Sequence, residues 1–224
     1  YSCATKCKRV VEMDDPEYGK IEPIFGGPEY ENIATLGSYC GVGSMEAMMK
    51  GNELCNKYGL DAIGAGATIA WAMETNMNGL LPREYVGDMD LQFGNGKAMI
   101  ACLDAMTYRQ GALGDLLAEG SAGAARQLNN GSEDYLITVK NAEAPAHMPQ
   151  VKRSLALIYA VNPFGADHMS SAHDPGYDPD SYDPVRVAAL GLNNPQPVTV
   201  LNPAKVEWTV RTQRLFSLMD TLNL

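Results

Sequence analysis

Five cysteines, three histidines and a run of aspartates are the residues of this 224-residue chain with distinctive chemistry. Cys3 and Cys7 stand beside Lys6, Lys8 and Arg9 at the head of the chain. Positive neighbours favour thiolate over thiol, and such a pair suits a cluster of net negative charge. The same spacing, taken alone, also describes a terminal pair without a role. Cys40, Cys55 and Cys102 fall in segments with helical patterning, where a thiol behaves as a small buried hydrophobe. His147, between Pro145 and Pro149, reads as an exposed turn residue, while His168 and His173 share one loop. Three histidines do not by themselves define a Ser-His-Asp arrangement. The stretch from Asp174 to Pro184 gathers hard oxygen ligands, but without calcium-loop spacing, so it reads as a solvated loop.

The elements that must position these residues are mostly helices. Residues 1–30 carry Pro16, Gly19, Pro23 and Gly26-Gly27-Pro28 and read as irregular. Ser44 is an N-cap for a helix through Met45, Met48, Met49 and Cys55 that Gly59 closes. A second helix, about 61 to 78, places Ile63, Ala67, Ala70 and Trp71 on one side. A third starts near Gly96, with Met99, Ile100, Leu103 and Met106 on one face. Leu113 to Leu128 reads as a fourth. Asp134–Lys140 alternates Tyr135, Ile137 and Val139 and reads as the only strand. A helix over about 151–161 follows, and Asn202-Pro203 caps and opens a last helix through Val206, Val210, Leu215 and Met219. The methionines, Met73 and Met77 among them, read as core packing rather than metal ligands. The expected fold is therefore all-α and multihelical, helices stacked on helices.

Composition narrows the function. The formal charge is −10 and 46% of residues are hydrophobic, a globular and acidic chain. That balance argues against nucleic acid and anionic membrane surfaces, which call for clustered Lys and Arg. No apolar run approaches the roughly 20 residues of a membrane span. With no secretory signal at its head, the chain is expected in a reducing cytoplasm with free thiols. Gly41-Val-Gly43 is too short to be a nucleotide fingerprint.

Several stretches, taken together and in order, resemble the tungsten-containing aldehyde ferredoxin oxidoreductase family. They are Gly26-Gly-Pro-Glu29-Tyr-Glu31 with Leu36-Gly-Ser, and Asn52-Glu-Leu-Cys55 running into Tyr58-Gly-Leu-Asp61-Ala-Ile. Phe93-Gly-Asn-Gly96, Tyr108-Arg-Gln-Gly and Gly114-Asp-Leu-Leu-Ala-Glu-Gly120 follow. Val139-Lys140, Ala156 to Ala160 and Gly165-Ala-Asp-His168 complete the set. The resemblance covers the family's two helical C-terminal domains, expected here as 1–130 and 131–224. It implies two helical subdomains without the family's N-terminal pterin-binding sheet domain.

The resemblance also implies roles. Cys3 and Cys7 match two ligands of a [4Fe–4S] cluster, whose other cysteines would lie just before Tyr1 and just after Leu224. The chain is thus expected to be a fragment bounded by cluster ligands, devoid of cluster and tungsten–bispterin cofactor and inactive alone. Asp61-Ala-Ile-Gly64 matches the first pterin-binding Asp-x-x-Gly motif, although Asp61 read by itself is a helix N-cap. Asp220 matches the second copy, which ends at Leu224 with Asn223 in place of Gly. A carboxylate suits a pterin because it accepts paired N–H donors bidentately. Glu31, with Glu29 as the alternative, and His168, with His173 as the alternative, match the catalytic glutamate and histidine. Ser170 stands where the family often has a basic residue.

An oxidoreductase of this kind is expected to oxidise a small aldehyde to a carboxylic acid and pass electrons through the cluster to ferredoxin. Reduction of an aromatic acyl-thioester ring is the alternative within the family, and a helical binding module that has lost redox function the alternative outside it. No Glu precedes a His by three residues, so an iron-bridged dimer has no support, and a homodimer through other surfaces stays open.

Overall fold

The computed structural model describes residues 8–181 and 183–222. The chain forms two compact units, divided between Ile137 and Thr138. The fold is all-α and multihelical, as expected, with strand limited to two short hairpins among the described residues.

The first unit begins with an element that the turn-rich sequence conceals. Strands β1 (Met13–Asp15) and β2 (Gly19–Ile21) pair antiparallel in the segment expected to be irregular. Asp15 Oδ1 accepts from Glu17 N at 2.9 Å and Tyr18 N at 2.8 Å, and Gly19 adopts φ 74°. The side-chain acceptor makes the turn and glycine supplies the left-handed residue that returns the strand. Helix α1 (Tyr30–Ile33) runs directly into a π-helical turn, Ala34–Tyr39.

Helix α2 (Met45–Tyr58) starts where Ser44 Oγ accepts from Ala47 N at 3.1 Å and ends at Gly59, φ 72°. Helix α3 (Ala62–Met77) is buried on most of its circumference, through Ala65, Gly66, Thr68, Ile69, Trp71, Ala72, Met73 and Thr75. Small residues permit this, because neighbouring backbones can approach. A Cβ on Gly66 would fall 2.7 Å from the Thr35 backbone. Gly66→Ala is therefore expected to destabilise the chain by about 1–3 kcal/mol in a denaturant titration, the usual cost of overpacking.

After α4 (Arg83–Val86) and α5 (Gly96–Tyr108), the expected single helix over 113–128 is two helices, α6 (Gly111–Leu117) and α7 (Gly120–Leu128). Gly120 takes φ 72°, and Arg109 bridges Asp115 at 2.8 Å and Glu119 at 2.6 Å across the break. Leu36, Ile69, Met73, Met99, Leu103, Leu116 and Leu117 fill the core. Met48 and Met73 pack inside, but Met45 and Met77 are 45% and 67% exposed, so the methionine set is only partly core. Cys40, Cys55 and Cys102 are buried free thiols, and burial pushes each of them up to about 12.

In place of the expected strand over 134–140, the first unit ends on a 3-10 turn, Ser132–Tyr135, and the second opens on a two-residue β3 (Thr138–Val139) paired to β4 (Ala142–Glu143). Lys140 and Asn141 both take positive φ, 53° and 68°, which closes a tight hairpin before a longer strand can form. Helix α8 (Arg153–Val161), α9 (Pro184–Ala188) and α10 (Pro203–Leu222) follow. Two small apolar clusters stand here. Leu155, Ile158, Tyr159 and Ala166 form one, and Tyr177, Val187, Leu192 and Trp208 form the other.

Between them lies a buried ion pair. Lys205 and Asp174 are fully buried and bonded to each other, and Asp174 also accepts from Ser154 N at 3.0 and 3.1 Å and from Ser154 Oγ. The loop expected to be solvated thus contributes a buried carboxylate at the N-terminus of α8, where the helix dipole favours negative charge. Its other aspartates serve the backbone: Asp178 accepts from Val198 N and Asp183 caps α9 through Val185 N. The same stretch also holds a 3-10 turn, Asp174–Tyr177.

Asn202 Oδ1 does cap α10, through Lys205 N at 3.1 Å, but the buried face differs from the expected one. Lys205, Trp208, Thr209 and Thr212 are inside, while Val206, Val210 and Met219 are exposed. Thr209 and Thr212 donate to the carbonyls of Lys205 and Trp208, so the threonines enter the interior with their hydroxyls satisfied.

Candidate active site

In the first unit the structure brings Glu31 and Asp61 to neighbouring turns. Glu31 lies in α1 and is half-buried. Thr35 Oγ1 stands 2.7 Å from the Glu31 carbonyl and 2.9 Å from that of Ala62, so one hydroxyl ties the turn bearing Glu31 to the first turn of α3. Half-buried Tyr39 also belongs to this group. Burial, then the charge of Glu31, push its phenol up to about 12, so it stays protonated beside the carboxylate. Glu29 is otherwise engaged: it forms a capping box with Asn32 and an ion pair with Arg9 at 2.6 Å.

Asp61 is exposed and is the N-cap of α3, Oδ1 accepting from Ile63 N at 3.1 Å and Oδ2 from Gly64 N at 3.2 Å. Each oxygen accepts one backbone N–H and retains capacity for another. The cap and a ligand role are therefore compatible. A carboxylate oriented by two backbone donors and open to solvent fits a ring edge bearing paired N–H groups.

In the second unit, His168 sits half-buried on a loop built by short polar contacts. Asn162 Nδ2 donates to Ser170 Oγ at 2.5 Å, Ser170 Oγ bonds Asp167, and Met169 N donates to Asp167 Oδ1 at 2.8 Å. Ser170, in place of a basic residue, is part of the loop's own scaffold. Gly165 enters the loop at φ 111°, and a Cβ there would strike the Val139 carbonyl.

All three histidines meet in this unit. His147, expected to be an exposed turn residue, is half-buried, with its ring 4.7 Å from that of His168 and 4.6 Å from that of His173. Lys152 Nζ lies 3.0 Å from His147 Nδ1, and Tyr159 Oη donates to the His147 carbonyl at 3.0 Å. The flanking prolines concealed this, since nothing local announces a partner five residues on. Burial first, then Lys152, His173 and His168, hold the His147 pKa down to about 4. The unfolded chain takes this proton near 6.5 and the folded chain only near 4, so His147 costs the fold stability as pH drops through that window. His147→Phe is expected to shed that component of the pH slope in unfolding measurements.

A cavity of about 470 Å³ borders His168 and His173, with Trp208, Thr212 and Phe216 on its walls. Trp208 stacks on Tyr177, ring centroids 4.5 Å apart. Its size falls in the range of small-molecule pockets. Asp220 is exposed near the end of α10. Cys3, Cys7 and Leu224 lie outside the described residues.

The family model described as "Aldehyde ferredoxin oxidoreductase, domains 2 & 3" matches residues 1–224. The chain belongs to this family. It is 34% identical over 172 residues to the tungsten-containing aldehyde ferredoxin oxidoreductases of Thermococcus kodakarensis and Pyrococcus furiosus, matching 76% of this chain and 27% of each relative. It is 29% identical over 179 residues to an aliphatic sulfonate oxidoreductase, WOR-like subunit, of Pyrococcus furiosus, covering 77% and 28%. Among solved structures it resembles the active site complex BamBC of benzoyl coenzyme A reductase with 1,5 dienoyl-CoA. That likeness has a TM-score of 0.52 at 25% identity, over 61% of this chain and 20% of the other. The chain spans about a quarter of the length of the curated relatives it matches.

Proposed function

We propose that this chain is the helical part of an enzyme that oxidises an aldehyde to a carboxylic acid, with ferredoxin as electron acceptor. The observation that carries the reading is the Thr35 tie, which holds Glu31 and the capped Asp61 on adjoining turns in a chain of this family. A tungsten–bispterin centre, when bound, would accept the two electrons of the oxidation, and a [4Fe–4S] cluster would relay them. Asp61 would accept the N–H pair of one pterin, pre-aimed by the Ile63 and Gly64 amides, and Asp220 would serve the other. Cys3 and Cys7 would be two of the cluster's thiolates.

The overall change adds one water oxygen to the carbonyl carbon and releases two electrons and two protons. Glu31 is the base of this scheme and takes a proton from the attacking water. His168 donates a hydrogen bond to the carbonyl oxygen, favouring attack at carbon. The cavity beside His168 would take the substrate's body and keep bulk water away.

A second reading, reduction of an aromatic acyl-thioester ring, draws support from the likeness to the benzoyl coenzyme A reductase complex. An assay of the whole protein with an aldehyde and with an aromatic acyl thioester separates the two. Aldehyde-dependent reduction of ferredoxin or a viologen supports the first. Turnover of the thioester alone would replace it with the second, and turnover of neither would remove both.

A further inference from the structure

The three histidines do not form a symmetric cluster, and the asymmetry assigns a role to His147. An ammonium only donates, so the contact between Lys152 Nζ and His147 Nδ1 makes Nδ1 the acceptor. The ring proton of His147 is then on Nε2. The His147 ring lies against the His168 ring at 4.7 Å with a tilt of 31°, close to an offset stack, while His173 meets His147 edge-on at 66°. His173 contributes differently, its Nε2 lying 2.8 Å from the His168 carbonyl. A carbonyl only accepts, so that nitrogen bears a proton.

His168 is thus held twice, at its backbone by His173 and at its ring by His147. Three imidazoles at these separations, 4.6 to 5.9 Å, would otherwise describe a metal site. The Lys152 ammonium on one ring and the carbonyl bond of another oppose a cation there.

We propose that His147, backed by Lys152, is a positioning residue for His168: it fixes the orientation of the ring that donates a hydrogen bond to substrate. The proposal rests on the reading of His168 as the hydrogen-bond donor to substrate. Within the second unit, His147 is faced by Lys152, His168 and His173, with the Tyr159 hydroxyl on its carbonyl. Burial first, then Lys152, His173 and His168, disfavour a charge on the ring. A His147 that stays neutral spares His168 a like-charged neighbour, which would lower its own affinity for a proton.

The test is a proton NMR titration of the three imidazoles in the 224-residue chain, assigned by single substitutions, together with kinetics of the whole protein. In the unsubstituted chain the His147 signal is expected to stay at its neutral position down to about pH 5. Lys152→Met is expected to bring its midpoint up towards that of a free imidazole. His147→Ala is expected to shift the His168 midpoint and to lower kcat about tenfold with KM little changed, the cost of a loosened catalytic group. His147→Phe keeps a ring against His168 and is expected to restore most of the rate, which a general loss of folding would not allow.

A free-imidazole midpoint for His147 in the unsubstituted chain would overturn the proposal. So would an unchanged His168 signal and rate in His147→Ala. The underlying reading fails by a different result: undiminished aldehyde oxidation by His168→Gln, whatever the titration of His147.

Discussion

Replacing Glu31 by Gln is expected to lower aldehyde oxidation by the whole protein about 10²- to 10⁴-fold, the range for loss of a general base. The glutamine keeps the size of the side chain, so α1 and the Thr35 tie should persist and protein stability should change little. The neighbouring Tyr39 offers no substitute, because a phenol held at about 12 is not a base at neutral pH. Glu29→Gln is the control. Its carboxylate is engaged in a cap and an exposed ion pair with Arg9, whose loss costs stability by about 1 kcal/mol and leaves chemistry alone. A rate lost in Glu29→Gln and kept in Glu31→Gln would reverse the assignment. Steady-state kinetics with one aldehyde decides it.

The second large effect concerns the fold. Lys205→Met removes the ammonium that neutralises Asp174 and leaves a buried carboxylate with only Ser154 as its partner. Breaking one side of a buried pair costs about 3–5 kcal/mol, against a typical total stability of about 5–15. A urea titration of the chain is therefore expected to show a far lower midpoint for the second unit. Lys205→Met combined with Asp174→Asn should recover part of the loss, since no unpaired charge then remains. Equal stability of Lys205→Met and the parent chain would show that the pair is not holding α8 and α10 together.

These two residues illustrate what the sequence displayed and what it hid. Caps and closures were legible because they are local: Ser44 and Gly59 bound α2, Asp61 caps α3 and Asn202 caps α10. Gly59 ends its helix through a left-handed φ that few other residues adopt cheaply. Lys205 was not legible. A lysine reads as surface until a buried aspartate 31 residues away is known to meet it, and the apolar stripe Val206, Val210, Met219 pointed to the wrong face of α10. The run at 134–140 failed for a related reason: alternation promises a strand, yet Lys140 and Asn141 turn the chain at once.

The site divides in the same way. The resemblance to the family singled out Glu31, Asp61 and His168, because each falls in one of its motifs. Thr35 and Tyr39 lie beside Glu31, and His147 and Lys152 lie by His168, but none of the four carries a motif. Only Thr35 left a trace, a small hydroxyl one helical turn after Glu31, where it can bond that residue's carbonyl.

On the proposed reading this chain supplies residues to a tungsten–pterin site, with Asp61 as a direct ligand of the pterin. The most direct measurement is the tungsten and pterin content of the whole protein, purified beside its Asp61→Ala variant from cells given tungstate. Asp61→Asn belongs in the same series, because it keeps an acceptor for the α3 cap but offers a poorer partner for paired N–H donors. Tungsten and pterin are expected in the unsubstituted protein, with marked loss of both in Asp61→Ala and Asp61→Asn while the α-helical signal is retained. Full tungsten and pterin occupancy in both variants, or none in the unsubstituted protein, would contradict it.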